Sequence, residues 1–332
     1  MSRDTVTNHP DSDDRTHVDN GYHNPGLSSS VMHPPPTYAA STVTVTYDLP
    51  SEGVATLRRN AIAIATRGPF VIVDNGPPGA LPSDLAERIA PDNSAGVTVV
   101  PYQGNRGFGV GCNAGVDEAP GTPFVLLVNP DAEITADMVE ELLATFAANP
   151  RLGIASPQLL DHTGAPIESA GTFPTVLGLA LGKFHRPTHV RQQQATPGTF
   201  LPKRTYRPVD WVSGAVMMVR REVWHATGGF DPAYFLYYED IDLCLRARQA
   251  GWEVGVVPQA TAIHESGGSQ WRPGTRSRVE RIYFQSQAHY FRTHHGRLAD
   301  LFLRIVRFPY LATGLRRWYL ERFGVHVPVK PE

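Results

Sequence analysis

Carboxylates carry most of the chemistry this sequence could perform. Asp131 and Glu133 stand one residue apart in Asn129-Pro-Asp-Ala-Glu133, directly after the apolar run Phe124-Val-Leu-Leu-Val128. Two carboxylates in an irregular turn can face one hard cation, and Mg2+ or Mn2+ held this way keeps waters and takes phosphate oxygens as further ligands. The plainer alternative is that Asp131 caps the helix that follows. A second group, Glu239-Asp240-Ile241-Asp242, lies behind the aromatic residues Tyr234, Phe235, Tyr237 and Tyr238 and a Gly228-Gly229 turn. Crowded carboxylates raise one another's pKa, which is one route to a usable general base, and aromatic faces beside them suit a sugar ring. The same three acids could simply complement a helix N-terminus. His264, in Ala262-Ile-His-Glu-Ser266, is compatible with Mn2+ when carboxylates fill other positions, or it is an ordinary structural hydrogen-bonding group. The glycines of Gly104-Asn-Arg-Gly107-Phe-Gly-Val-Gly111 form neither GxGxxG nor a P-loop, so tight backbone packing competes with a phosphate cradle.

These residues need elements to position them. Ser41–Tyr47 is a β-branched strand, and a short helix follows from about Ser51 to Ile62. Phe70–Val73 is a second strand ending on Asp74-Asn75-Gly76. A helix from Ser83 to Ile89 leads to the strand Gly96–Val100, and Gly107–Glu118 reads as helical. Phe124–Val128, apolar throughout, reads as a strand buried on both faces, and Thr135–Ala148 as an amphipathic helix. Four strands alternating with helices predict a doubly wound α/β start, whose ligands bind beyond the carboxyl ends of the strands. Farther on, Trp211–Val219 and Glu253–Val257 read as strands and Glu239–Gly251 as a helix. Phe184–Pro208 reads as a connection or lid without periodicity.

Composition removes several classes. Among 332 residues, Lys and Arg number 30 against 32 Asp and Glu, far from the basic excess of a nucleic-acid-coating protein, so no nucleic-acid partner is expected. No apolar stretch is long enough for an ordinary membrane span. Two cysteines, Cys112 and Cys244, cannot build a disulfide scaffold. Residues 1–40, rich in Asp, His, Ser and Pro, are expected to be a disordered tail. They lack the apolar run of a secretory signal, which points to the cytoplasm. From Gln270 onward 12 basic residues face 4 acidic ones. There Leu301, Phe302, Ile305, Phe308 and Leu311 recur at helical spacing beside Arg304, Arg307, Arg316 and Arg317. Such a helix either lies in an anionic membrane interface, at the cytoplasmic face of the plasma membrane, or packs on the domain.

Taken in order, the motifs resemble glycosyltransferase family 2, in its rhamnosyltransferase-like branch. The matching pieces are Thr46-Tyr47, Val73-Asp-Asn-Gly76, Asn105-Arg-Gly-Phe-Gly-Val-Gly-Cys-Asn113 and Leu126-Leu-Val-Asn-Pro-Asp131. They continue through Trp211-Val-Ser-Gly-Ala215, Gly228-Gly-Phe-Asp231, Phe235–Arg246, His264 and His289–Gly296. The resemblance implies a GT-A fold, α/β with a Rossmann-like nucleotide-binding half, a mixed central sheet and an acceptor-binding half. The expected halves are about 41–135 and 136–270, with a basic helical extension over 271–332. It implies an inverting transfer from a nucleotide-sugar, with dTDP-rhamnose the leading donor and UDP-galactofuranose or UDP-glucose the alternatives, to a saccharide or lipid-linked acceptor in cell-surface polysaccharide synthesis. A degenerate chain that binds nucleotide-sugar or glycan without turnover is the non-enzymatic alternative, and a homodimer is compatible with either. In this reading Asp240 is the general base and Glu239 its neighbour. Thr46, Tyr47, Asp74, Asn75, Asn105, Gly107, Asn113, Asn129 and Asp131 line the nucleotide-sugar site, with Asp74 on the base or ribose. Trp211, Ser213, Gly214, Tyr237 and Tyr238 line the acceptor site, and Asp131, Glu133 and His264 hold Mg2+ or Mn2+. The chain departs from the family at Asp48, where Asn is usual, and at Pro77-Pro78, where Ser and a further Asp are usual.

Overall fold

The computed structural model describes residues 39–47, 49, 51–77, 81–90, 96–101, 104–180, 205–264 and 276–312. The N-terminal tail before residue 39, Asp48, Pro78, most of the expected lid and the chain after 312 lie outside the described residues. In chain order the first elements are β1 (Ala40–Thr46), α1 (Ser51–Ile64), β2 (Phe70–Asp74), α2 (Leu85–Ile89), β3 (Val97–Pro101), α3 (Phe108–Glu118) and β4 (Phe124–Val128). Then follow β5 (Ala132–Glu133), α4 (Ala136–Ala148), β6 (Leu152–Leu160), β7 (Ala170–Gly171), α5 (Val176–Ala180), β8 (Arg207–Pro208), β9 (Trp211–Val212) and β10 (Val216–Arg220). The last are α6 (Arg221–Thr227), α7 (Glu239–Gln249), β11 (Glu253–His264), α8 (Arg276–His294) and α9 (Arg297–Ala312).

The central sheet runs β3-β2-β1-β4-β10-β6-β11-β5, with β8 pairing β11. The first four strands in this order are mutually parallel, while β10 is antiparallel to both β4 and β6. This is the mixed α/β sheet expected, and its alternation is clean. Val71 and Val73 of β2, Val125 and Leu127 of β4, and Met217 and Val219 of β10 face one core. Phe70 and Ile72, Leu126 and Val128, and Val216 and Met218 face the other, against α1, α2 and α4. Both faces are therefore buried, as parallel strands require.

Three expectations change. The strand Trp211–Val219 is two strands in two sheets, broken at Ser213–Ala215 because those backbone groups bond to other loops: Ser213 N donates to Ser169 O and Ala215 O accepts from Asn129 N. The strand at 253 continues to His264, past a register shift between Val257 and Thr261 where Pro258 interrupts the ladder. β6, with its Gly153 and Pro157, carries no strand signal that propensity would find, yet it pairs with both β10 and β11. The helix α8 is no appendage, since Tyr290 and Phe291 are completely buried in the same core as β1 and β4.

Candidate active site

The sheet brings the chemistry to one edge. β1, β2 and β4 end there at Thr46, Asp74 and Val128, and the antiparallel β10 starts there, with Val216 opposite Val128. The end of β11 arrives beside β5, with His264 opposite Ala132.

At the ends of β1 and β2, Thr46 is buried and its hydroxyl donates to Val73 O at 3.3 Å, while Tyr47 beyond it is exposed. Asp74 Oδ1 accepts from Gly76 N in a tight turn. Asn75 is buried, and its amide donates to Asn105 Oδ1 (3.0 Å) and to Gly107 O (3.1 Å). Its Oδ1 is buried without a hydrogen-bond partner, an acceptor at the strand ends beside Asn105. Gly107 adopts φ +109°, and a Cβ there would meet the carbonyl of Phe235 with the Phe235 Cα only 2.7 Å away. No L-side chain fits, so glycine lets this loop lie against the segment that precedes α7. Within α3, Gly109, Gly111 and Gly115 press on Phe230, Val45 and Val43 with Val73. The glycine-rich stretch is thus a packing device, which is the plainer of its two readings. Asn113 is a correction of the same kind. Its amide bonds both backbone groups of Phe230, at 2.8 and 2.9 Å, and so ties α3 to the Gly228-Gly229 turn rather than facing a ligand.

The metal-ligand candidates divide. Asp131 does not cap α4, because Thr135 does so by accepting from Met138 N. Its Oδ1 instead lies 3.4 Å from His264 Nε2, both side chains being only partly exposed. Asn129 Nδ2 is 3.5 Å from the same nitrogen. Glu133 departs from expectation: it pairs with Arg59 of α1, while Asp131 lies by His264. Asn60, which the sequence reading passed over, fixes the loop. Fully buried on α1, it donates to Ala132 O and accepts from Ile134 N. One carboxylate and one imidazole converging from separate strands fit a divalent ion that completes its shell with diphosphate oxygens and water. Among the described residues no cluster of three or more His, Cys, Asp or Glu side chains forms a protein-only cage.

The base candidates begin α7, beside the Ser213–Ala215 loop. Asp240, half-buried, accepts from Gly214 N through Oδ2 (3.1 Å) and from Ile241 N through Oδ1 (2.8 Å). Burial pushes its carboxyl above the usual range, and those two amides pull the other way. Glu239 is buried, and its Oε2 has no hydrogen-bond partner. Burial and then the neighbouring Asp240 charge push it well up. The neighbouring carboxyls are therefore inequivalent: Glu239 is the one shifted toward its protonated form, and Asp240, with two amide donors, is the one better able to ionise. The third acid, Asp242, is structural. Completely buried, it binds Arg246 (2.6 Å) and His294 Nε2 (2.6 Å), and Arg246 in turn donates to Thr227 O and Gly229 O.

The expected aromatic platform is mostly interior. Tyr234 and Tyr238 are buried, the latter accepting from Gln287 at its hydroxyl, and only Phe235 and Tyr237 are partly exposed. Trp211 is also buried, donating to Thr172 O and lying on Gly171, so it supports the Ser213-Gly214 loop rather than offering a face to a ligand. Ser213 accepts from Ala215 N.

Residues 45–281 match the family model described as Glycosyltransferase like family 2. Over 232 residues the chain is 30% identical to an N-acetylglucosaminyl-diphospho-decaprenol L-rhamnosyltransferase of Mycobacterium tuberculosis, spanning 64% of this chain and 72% of that protein. It is likewise 30% identical over 207 residues to the low-salt glycan biosynthesis hexosyltransferase Agl10 of Haloferax volcanii, spanning 61% of each. Its structure is similar to that of GalNAc-T7 with UDP, GalNAc and Mn2+ (TM-score 0.54, 15% identity), over 86% of this chain and 57% of that one. It is also similar to the mannosyltransferase PcManGT from Pyrobaculum calidifontis in complex with GDP-Man and Mn2+ (TM-score 0.50, 14% identity), over 88% of each chain. The chain thus spans less than two thirds of both Agl10 and GalNAc-T7. Likeness at such identity speaks for the fold alone, which is GT-A. With the family model covering most of the described fold, and the strand ends carrying its ordered motifs, the chain belongs to glycosyltransferase family 2.

Proposed function

We propose that the chain transfers rhamnose from dTDP-rhamnose, with inversion and with a divalent cation, to a saccharide or lipid-linked acceptor of a cell-surface glycan. One observation carries this reading: the antiparallel pairing of β4 with β10 links the segments that carry the two carboxylates. Asn129, two residues before Asp131, donates its N–H to Ala215 O at 2.7 Å, and the adjacent Gly214 donates to Asp240. The ligand of a phosphate-bound cation and the base for an acceptor hydroxyl are thereby held in fixed register on either side of the sheet edge. The rhamnosyltransferase relative supports rhamnose as the transferred sugar and a diphospho-lipid acceptor, and the Mn2+ complexes of the two structural neighbours support the cation.

In the reaction, Asp240 removes the proton of the acceptor hydroxyl as its oxygen bonds to the anomeric carbon. The bond from that carbon to the diphosphate oxygen breaks on the opposite side, and the nucleoside diphosphate leaves with the electron pair. A divalent ion held by Asp131 and His264 would stabilise the charge developing on that leaving group. Asp74 and the Asn75–Asn105 pair face the nucleoside end, and Gly107 closes the loop against the acceptor side.

The test is calorimetric titration with dTDP-rhamnose, UDP-galactofuranose, UDP-glucose and GDP-mannose, with and without Mn2+, followed by turnover measurements. Asp131→Ala is expected to abolish the Mn2+-dependent part of donor binding. Asp240→Asn should bind donor normally and lose about 10²- to 10⁴-fold in rate. Binding of a UDP-sugar instead would change the donor. Binding without turnover would make the chain a nucleotide-sugar-binding protein, and no binding at all would overturn the reading.

A lipid-linked acceptor also accounts for α9. One side of this helix is buried through Asp300 and Leu303, while Leu298, Leu301, Phe302 and Ile305, at 82, 53, 47 and 63% exposure, form an outward apolar stripe bordered by the exposed Arg297 and Arg304. One face packs on the domain, and the other is an amphipathic surface of the kind that suits anionic lipid. Among the described residues no helix is long and apolar enough to cross a membrane. Flotation with vesicles containing anionic lipid should recover the chain, and Leu301→Asp with Ile305→Asp should release it. Equal flotation of the double variant would remove the membrane from the proposal.

A further inference from the structure

The approach to Asp240 is built from unfavourable backbone. Tyr237 and Tyr238 both have positive φ, +69° and +71°, consecutively and without glycine. Each costs about 1–2 kcal/mol for an L-residue, and such a conformation persists only where its surroundings over-determine it. Glu239 and Asp240 begin α7 immediately afterwards, so this pair sets the direction from which the Asp240 carboxylate approaches the site.

The over-determination comes from α8, forty to sixty residues later. Ser286 Oγ donates to Leu236 O at 2.8 Å. Gln287 Nε2 donates to the Tyr238 hydroxyl at 3.0 Å. The Tyr283 ring meets both tyrosines edge-on, at 5.7 and 5.5 Å, and Tyr290 packs on Tyr238 at 5.4 Å. On either side of these contacts, His289 binds Asp231 at 2.9 Å and His294 binds Asp242 at 2.6 Å. Residues 283, 286, 287, 290 and 294 recur at helical spacing on one face. That face grips the segment before, at and after the strained pair. Ser286 and Gln287 are themselves buried, bonded to the turn rather than exposed to solvent.

We infer that α8 is a brace that aims the Asp240 carboxylate, with Gln287 and Ser286 as positioning residues for transfer. This rests on the reading of Asp240 as the base. The physical reason is leverage: a relaxed turn would let Tyr237 and Tyr238 return toward ordinary φ and swing the first turn of α7, and misplacement of a reacting group by about 1 Å can cost about 100-fold in rate. Asp240 would keep its own chemistry and lose its aim.

The experiment is a mutant cycle in the full chain, using whichever nucleotide-sugar of the donor panel is turned over. Gln287→Leu is expected to lower kcat about 10- to 100-fold, with donor Kd and KM unchanged. Ser286→Ala, a smaller change that keeps the fold in case Gln287→Leu does not, should lower kcat in the same sense by a few fold. In the Asp240→Asn background neither substitution should lower the residual rate further, because a brace with nothing to aim has no catalytic effect. A merely structural role predicts the opposite pattern: lowered thermal stability, unchanged kcat, or losses that multiply in the double variant. Any of those would overturn the brace while Asp240→Asn remained inactive. If Asp240→Asn alone kept full activity, or no donor were turned over, the underlying reading would fall and the brace with it.

Discussion

The two sides of the proposed site, nucleotide and acceptor, are positioned by different physics. On the nucleotide side, Asp74, Asn75, Asn129 and Asp131 stand at the ends of parallel strands buried on both faces, and α3 is drawn onto β1 and β2 by glycines that leave no room for a Cβ. Their places follow from ladder register and close backbone packing. On the acceptor side, Asp240 follows two left-handed tyrosines, and side chains hold it in place: Ser286, Gln287 and His294 from α8, and Arg246 from α7 itself. A sheet edge resists displacement collectively. A hydrogen-bonded turn depends on each partner, so the acceptor side should be the easier of the two to break with one atom.

Asp242→Asn breaks it most severely. The substitution removes a charge from a buried group that binds both Arg246 and His294, and leaves the Arg246 guanidinium with carbonyl partners only. Loss of one partner of a buried pair costs about 3–5 kcal/mol, and denaturant unfolding should show that loss. The matched change on the nucleotide side is Gly115→Ala, whose methyl would press into Val43 and lie 2.8 Å from Val73 Cγ2. Both neighbours are β-branched and stiff at χ1, so the strain passes to β1 and β2 and should cost about 1–3 kcal/mol. If Gly115→Ala proved the more damaging of the two, the contrast between the sides would be reversed.

The same contrast decides what could be read in the sequence. Phe70–Val73 and Phe124–Val128 announce buried strands by apolar continuity, and strand ends then locate Asp74 and Asp131 with no knowledge of distant contacts. Glu133 shows the limit: D-x-E spacing says nothing about the partner each acid finds, and Glu133 pairs with Arg59 of α1. The acceptor side was less legible. Trp211–Val219 has the composition of one strand, and only the bonds of Ser213, Gly214 and Ala215 to three other segments split it. α8 gives no clean apolar stripe to find, because the residues it buries mix Val279, Tyr283, Tyr290 and Phe291 with Glu280, Ser286 and Gln287. Its partners are the very residues whose aromatic and acidic character suggested an exposed platform. Asn60 was missed for a related reason, since a single polar residue in a helix carries no periodic signal for a clamp 72 residues away.

The finest test separates two carboxyls that are neighbours in sequence. Glu239 is buried with one oxygen lacking any partner, while Asp240 has two amide donors. Burial, reinforced by Asp240, holds the Glu239 carboxyl well above its ordinary value. A carboxyl raised on folding favours the protonated form in the native state. Its contribution is therefore fully present below the unfolded value of about 4.3 and is lost as pH rises through the native value. Glu239→Gln keeps the shape and cannot titrate, so it should lack this dependence. Thermal unfolding of both proteins from pH 5 to pH 8 should show the native chain losing stability relative to the variant as pH rises. A constant difference across that range would mean that Glu239 is ionised in the fold like its neighbour. The division of the pair into one carboxyl that keeps its proton and one that can accept it would then fail, and the asymmetry between them would have to come from geometry alone.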